Sequence, residues 1–252
     1  MVRLSTERFS DRVEDYIRYR PGYPPEVLSL LRNECGLQPC HVVADIASGT
    51  GVWTKHLLEN GNRVFAVEPN GEMRQAGERL LHSYPNLVSI HGTAEESTLA
   101  SHSVDFVTAA QAAHWFDRVR ARREFARILK AGGWCVLIWN ERRTDATAFL
   151  RDYEQLLLRF GTDYKDVRHE RTTAVIHEFF APAPYEERVF ELRQAFDHEG
   201  TAGRLLSSSY APLADHPNHA PMMQELRRVF AEHAVEGKVE FEYNTRVYYG
   251  IL

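Results

Sequence analysis

The sequence predicts an α/β protein built on one doubly wound, mostly parallel sheet, with an antiparallel carboxyl-terminal strand and a helical cap. Three observations lead there. Between His41 and Trp139, short β-like runs alternate with longer helical patterns, as in a parallel sheet wrapped by helices. Residues 42–51, VVADIASGTG, read as a buried strand running into a glycine turn and a helix start. The stretch from Val239 alternates, with Val239, Phe241 and Tyr243 on one side and Glu240, Glu242 and Asn244 on the other, as in a half-buried antiparallel strand.

Taken in order, Val42 to Ile46 is the first strand, followed by a turn at Gly49 and Gly51. Trp53 to Asn60 is a helix closed by Gly61. Arg63 to Val67 is the second strand, and Asn70 is placed to cap a helix that runs to about Leu81. Val88 to His91 and Val104 to Ala109 are the third and fourth strands. Arg118 to Lys130 is a helix with one apolar side, stopped by Ala131-Gly132-Gly133 before a fifth strand at Trp134 to Trp139. Beyond Asn140, the apolar spacing of Asp145 to Phe160 is close to 3.6 residues, so this is an amphipathic helix. Ala181-Pro182-Ala183-Pro184 is a connector, Val189 to Phe196 is strand-like, and Thr201 to Tyr210 and His219 to His233 are helices.

Composition narrows the function classes. The 252 residues carry 30 basic and 35 acidic side chains, a formal charge of −5 that argues against a dedicated nucleic-acid or anionic-membrane binder. The basic run RVRARR, residues 118–123, reads as the solvated face of a helix. Three cysteines without paired metal spacing fit a reducing compartment, and neither a signal peptide nor a membrane-length apolar run is read, so a cytoplasmic chain is expected. His216 and His219 lack a third ligand at sensible spacing, so no metal is expected.

The glycine turn carries the chemistry. Gly49 and Gly51 let the backbone pass close to a ligand at the carboxyl edge of the sheet, where open α/β folds bind. Glu68 ends the second strand, where a carboxylate can accept bonds from both hydroxyls of a ribose. Two ligand classes compete. A nicotinamide-dependent oxidoreductase expects a third glycine, but Val52, Trp53 and Thr54 follow Gly51, and Asp45 before the turn is unwelcoming to a pyrophosphate. Asp45 and Glu68 together suit a cationic, phosphate-free nucleoside.

These blocks resemble class I S-adenosylmethionine-dependent methyltransferases. DIASGTG is similar to their first motif, with Ala47 where the first glycine usually stands. GTAEE, residues 92–96, resembles their adenine loop, with Thr93 where aspartate is frequent, and RILKAGGWCVLIWN, residues 127–140, resembles the helix, double glycine and strand that follow. YIRYRPGYP (residues 16–24) and AAHWFD (residues 112–117) are similar to segments of the trans-aconitate methyltransferase and methyltransferase type 11 group.

The resemblance implies a seven-stranded Rossmann-like sheet and a division into residues 1–40 as a strap and first helix over the cofactor, 41–140 as the S-adenosylmethionine-binding core, and 141–252 as a cap with the final strands. It implies S-adenosyl-L-methionine as cofactor, giving S-adenosyl-L-homocysteine, and a small-molecule acceptor methylated on a carboxylate or hydroxyl oxygen. Tyr16, Arg20, Asp45, Ala47, Gly49, Gly51, Glu68, Pro69, Thr93, Ala94, Glu95 and Gln111 are the expected cofactor contacts. His114 would orient the acceptor or take its proton, and Trp115 would wall the site. Ala47 and Thr93 keep open a non-catalytic binder of the same ligand. The oligomeric expectation is a monomer or homodimer.

Overall fold

The structure, a computed structural model, describes residues 17–164 and 172–252, without the side chains of 172–175. Its frame is a seven-stranded sheet: β1 (Val42–Ile46), β2 (Arg63–Val67), β3 (Leu87–Ile90), β4 (Val104–Ala110), β5 (Leu129–Arg142), β6 (Glu186–Phe196) and β7 (Val239–Ile251). The spatial order is β3-β2-β1-β4-β5-β7-β6. Neighbours from β3 through β5 pair in parallel, and β7 runs antiparallel to both β5 and β6. The order reverses between β1 and β4, and open α/β sheets place their ligand crevice at such a switch.

The helices are α1 (Pro25–Glu34), α2 (Val52–Glu59), α3 (Gly71–Leu80), α4 (Arg118–Ile128), α5 (Ala148–Phe160), α6 (Thr172–Phe180), α7 (His198–Leu206) and α8 (His219–His233). Side-chain oxygens of Asn70, Asp117, Thr147 and Asp197 accept from backbone N–H groups in the first turns of α3, α4, α5 and α7. Among the described residues, no helix is long and apolar enough to cross a membrane.

Burial follows the pleat. Ala44, Val107, Leu137 and Tyr248 enter one apolar layer, while Val43, Phe106, Val136 and Tyr249 enter the layer on the opposite face. A third cluster joins Leu150, Tyr153 and Leu157 of α5, Met222 and Leu226 of α8, and Phe241 and Tyr243 of β7. Strand β7 therefore serves the main core with its second half and the helical lobe with its first.

Several boundaries differ from the sequence expectation. Helix α4 stops at Ile128 rather than Lys130, and β5 takes in the double glycine, extending to Arg142 rather than ending at Trp139. Gly132 has φ 76°, and the β4–β5 register shifts between Val104 and Phe106, so the two glycines make a bulge within the strand. Helix α7 spans His198–Leu206 rather than residues 201–210, because Asp197 accepts from Gly200 N at 2.8 Å and starts it early. Helix α5 begins after its cap at Thr147 rather than at Asp145, and β6 begins at Glu186 rather than Val189. Helix α6 has no counterpart in the sequence expectation.

The chain before α1 lies over the lobe. Tyr19 is buried against α7, where a Cβ on Gly203 would stand 2.1 Å from its ring. Arg20 donates to Ser207 O at 2.9 Å, and Asn140 Nδ2 donates to Gly22 O at 2.9 Å. Gly203→Ala is expected to push the Tyr19 ring out while the helix itself gains about 1 kcal/mol of propensity. Limited proteolysis checks this: tryptic cleavage after Arg18 accelerates in the variant, and an unchanged rate contradicts the seating.

Candidate functional site

A cavity of about 230 Å³ opens at the carboxyl edge of β1, β2 and β4 and continues beneath the lobe. At one end it is lined by Ala47, Gly49, Glu68, Pro69, Asn70 and Met73, with Thr93, Ala94 and Glu95 from the loop after β3. Gln111, His114 and Trp115 line its middle with Trp139 and Asn140, and Arg20, Pro21 and Tyr23 contribute from the amino-terminal strap. The far end is built by Arg142, Tyr164, Arg204, Ser209, Tyr210 and Tyr243.

Glu68 organises the first end. Its Oε2 accepts from Gly49 N at 2.9 Å and its Oε1 from Asn70 N at 2.8 Å, tying the turn after β1 to the start of α3. Burial raises its pKa, opposed by those two N–H groups and by Arg74. Each oxygen receives one backbone donor, so lone pairs remain for vicinal hydroxyls. The turn itself is closed on the protein: Ser48 N donates to Val67 O, Gly49 N to Glu68, and Gly51 N to Ser48 O.

Ala47 has φ 55°, the left-handed conformation for which glycine is favoured, at a cost of about 1–2 kcal/mol to an L-residue. Gln111 is strained in the same sense, with φ 58°. Its Oε1 accepts from Asn140 N at 2.7 Å and its Nε2 donates to Asn140 O at 3.3 Å. Asn140 Oδ1 also accepts from Thr245 Oγ1 at 2.7 Å, so this one residue joins the ends of β4 and β5, the strap and β7. His114 sits in a short helical turn with its ring 4.2 Å from that of Trp115 and 4.8 Å, edge-on, from that of Trp139.

Two expected contacts lie outside the cavity lining. Asp45 is 1% exposed, with Oδ2 accepting from Thr54 Oγ1 at 2.6 Å and Oδ1 from Thr108 Oγ1 at 3.0 Å. It links β1, α2 and β4 from below the turn. Gly51 caps α2 at φ 84°, and a Cβ there would meet Leu81 Cδ1 at 2.5 Å, so it faces α3 packing. Tyr16 lies outside the described residues. Arg20, Ala47, Gly49, Glu68, Pro69, Thr93, Ala94, Glu95, Gln111, His114 and Trp115 all line the cavity.

The far end escaped sequence reasoning. Arg142 Nη2 donates to Glu154 Oε2 at 2.6 Å and to Tyr164 Oη at 3.0 Å, and Tyr164 Oη donates to the same carboxylate oxygen at 2.5 Å. Arg204 Nε donates to Tyr243 Oη at 3.0 Å and its Nη1 to Ser208 Oγ at 3.1 Å. Arg142 ends β5 and Tyr243 is its register partner on β7, so the overlong strands carry both under the lobe. Burial alone would raise the Tyr210 hydroxyl, but Arg204, Arg142 and Arg20 hold it below the ordinary tyrosine range. Away from the cavity, Asp152, Glu232 and His233 meet between α5 and α8, with His233 Nε2 2.7 Å from Asp152 Oδ2.

Burial, which outweighs the Thr54 and Thr108 hydroxyls, pushes Asp45 from 3.8 up to about 7. The folded chain then holds this proton more tightly than the unfolded chain, so stability falls as pH rises from about 4 to about 7 and levels off above. Thermal melts should show the wild type losing stability relative to Asp45→Asn across that window. A difference that stays constant with pH contradicts the burial of a titrating carboxyl.

Comparison with known proteins agrees with this architecture. Residues 44–137 match the methyltransferase domain family. An uncharacterised methyltransferase of Mycobacterium tuberculosis is 39% identical over 158 residues, 63% of this chain and 62% of that one. A Schizosaccharomyces pombe methyltransferase-like protein is 29% identical over 161 residues, 64% of this chain and 61% of that one. The chain thus spans about three fifths of the length of these relatives. In fold it is similar to a candidate type II methyltransferase from Anaeromyxobacter dehalogenans, with TM-score 0.68 and 23% identity over 92% of this chain and 98% of that one. It is also similar to a candidate methyltransferase of an antibiotic pathway from Anabaena variabilis, with TM-score 0.63 and 24% identity over 93% and 99%. Residues 44–137, which match the methyltransferase domain family, carry β1 to β4 and most of β5 of the seven-stranded sheet, and the whole sheet is similar in fold to these two solved structures.

Proposed function

We propose that this chain transfers a methyl group from S-adenosyl-L-methionine to an oxygen, carboxylate or hydroxyl, of a small acceptor. The observation that carries the proposal is the donor end of the cavity: the buried carboxylate of Glu68 has acceptor capacity left, beside a turn whose N–H groups at Ser48, Gly49 and Gly51 are already spent on the protein. A pyrophosphate needs such N–H groups, whereas a ribose needs the carboxylate. This supports a phosphate-free nucleoside over a nicotinamide dinucleotide. Ala47 takes up the left-handed turn despite its side chain, which supports a functional turn in spite of the missing glycine.

In this reading Glu68 holds the ribose, and Thr93, Ala94 and Glu95 flank the adenine. Ala47, Gly49, Pro69, Gln111 and Arg20 contact the rest of the donor. Asp45 acts from beneath, by holding the turn through Thr54 and Thr108. The bound donor supplies a methyl carbon on a cationic sulfur, whose charge is neutralised on transfer. The protein's work is therefore to orient the two reactants and exclude water. Trp115 and Trp139 present aromatic surface to that charge. His114, held against both rings, orients an acceptor oxygen and accepts its proton when the acceptor is a hydroxyl; a carboxylate acceptor needs no base.

Ligand-induced stabilisation tests the proposal, since a ligand binding only the native state raises its melting temperature. S-adenosylmethionine and S-adenosylhomocysteine are expected to stabilise and NAD is not; stabilisation by NAD alone overturns the reading. Donor binding without turnover of any carboxylate, hydroxyl or amine acceptor would instead identify a non-catalytic binder. With a hydroxyl acceptor, His114→Ala should lower kcat by about 10²–10⁴-fold with little change in donor affinity. Unaltered turnover would remove His114 from the chemistry.

A further inference from the structure

Strand β6 closes the sheet with an open edge. Among the described residues its only strand neighbour is β7, paired from Glu186 to Phe196 without a register shift. The strand at the opposite end of the sheet, β3, is 4 residues long, whereas β6 has 11 residues, about 35 Å of backbone. An unpaired edge of that length is a template for another strand, and proteins that stay monomeric blunt such edges with proline, lysine, a bulge or a cover. Strand β6 carries no proline, lysine or bulge, and its charges are glutamate and arginine in both signs. Its odd-numbered residues from Glu187 to Ala195 share one exposed face. On the other face Phe190, Leu192 and Phe196 pack against the apolar clusters.

We propose that β6 pairs antiparallel with β6 of a second copy of this chain, about a twofold axis at Leu192, so that one sheet runs through both copies. A twofold axis normal to the sheet reverses the strand and keeps its faces, so it passes through a residue and each residue meets one of its own parity. Side-chain chemistry then selects the register. An axis at Glu191 or at Arg193 sets a like charge against itself. At Phe190 it matches Glu187 with Arg193 but puts the Glu191 carboxylate on Val189 and Arg188 on Leu192. At Leu192 it matches Glu191 with Arg193 of the second copy twice over. The same register sets Leu192 against itself, Val189 against Ala195 and Phe190 against Gln194. Pairing then spans Arg188 to Phe196, after which Asp197 leaves the strand to cap α7. Within one copy Glu191 and Arg193 stand 3.8 Å apart with 68% and 54% of their side chains exposed, so both charges stay within reach of a partner. Strand β6 backs β7 at Leu192↔Tyr243 and Phe190↔Thr245, so the pairing braces the strand that brings Tyr243 to the cavity and Thr245 to Asn140. Neither donor nor acceptor enters this contact, which stands apart from the proposed methyl transfer.

Sedimentation velocity on the full chain from about 0.1 to 100 µM, a range in which interfaces of modest size dissociate, tests this. A concentration-dependent monomer–dimer equilibrium is expected. Glu191→Arg and Arg193→Glu should each raise the dimer Kd by at least about tenfold, because each places like charges across two symmetry-related pairs. The double variant swaps the two charges and should bring Kd back to within about threefold of the wild type. Both side chains are more than half exposed, so the substitutions spare the fold. Engineered cysteines read the register. Val189 and Ala195 are about 20 Å apart along one strand, so Val189→Cys/Ala195→Cys can close a disulfide only between copies. In a Cys40→Ser background, which removes the exposed native thiol, oxidation should give a covalent dimer whose tryptic map joins two β6 peptides. A monomer throughout the range, a dimer whose Kd ignores the charge reversals, a swap that fails to restore it, or an oxidised cysteine variant that stays monomeric overturns the proposal.

Discussion

The ligand edge of this sheet depends on a carboxylate bridging two backbone segments. Glu68, at the end of β2, accepts one N–H from the turn after β1 and one from the start of α3. Those bonds bring the turn, with its left-handed Ala47, into register with the helix that Asn70 caps. A second buried carboxylate, Asp45, fastens the same turn from beneath through hydroxyls on α2 and β4. Because backbone donors hold Glu68 in place, the residue proposed to meet the ribose is preorganised and little ordering remains for the ligand to drive.

Asn140 plays the corresponding part at the other side of the crevice. Its backbone and side chain engage Gln111, Gly22 and Thr245, so the ends of β4 and β5, the strap and β7 meet at one residue. The long β5 and β7 then carry Arg142 and Tyr243 past the edge of the core and beneath the helical lobe. One cavity thereby acquires an acidic end and a basic end, with an aromatic waist of His114, Trp115 and Trp139 between them.

What was legible in the sequence is what chain-local chemistry specifies. The buried runs and glycine turns announced a doubly wound sheet, and the DIASGTG turn, Glu68 and the GTAEE loop follow successive strands, so topology alone brings them to one edge. Asp45 and Gly51 were legible as members of the turn but not as residues facing away from the cavity, because facing is decided by Thr54, Thr108 and Leu81. The strand ending at Arg142 was cut short at Trp139, since a charged residue at a strand end carries no periodic signal. Arg204, Tyr210 and Tyr243 were missed for a related reason. They meet only through tertiary packing of α7, the segment after it and β7, and a buried arginine looks like a surface one until its surroundings are known.

The central claim, that Glu68 anchors the donor, is tested most directly by calorimetric titration of S-adenosylhomocysteine into the wild type and Glu68→Gln. The substitution keeps the shape and removes the charge and half of the acceptor capacity. The account predicts a Kd raised by about 10- to 100-fold in the variant, the loss of charge-assisted hydrogen bonds. An unchanged Kd in a variant that still melts cooperatively would contradict it.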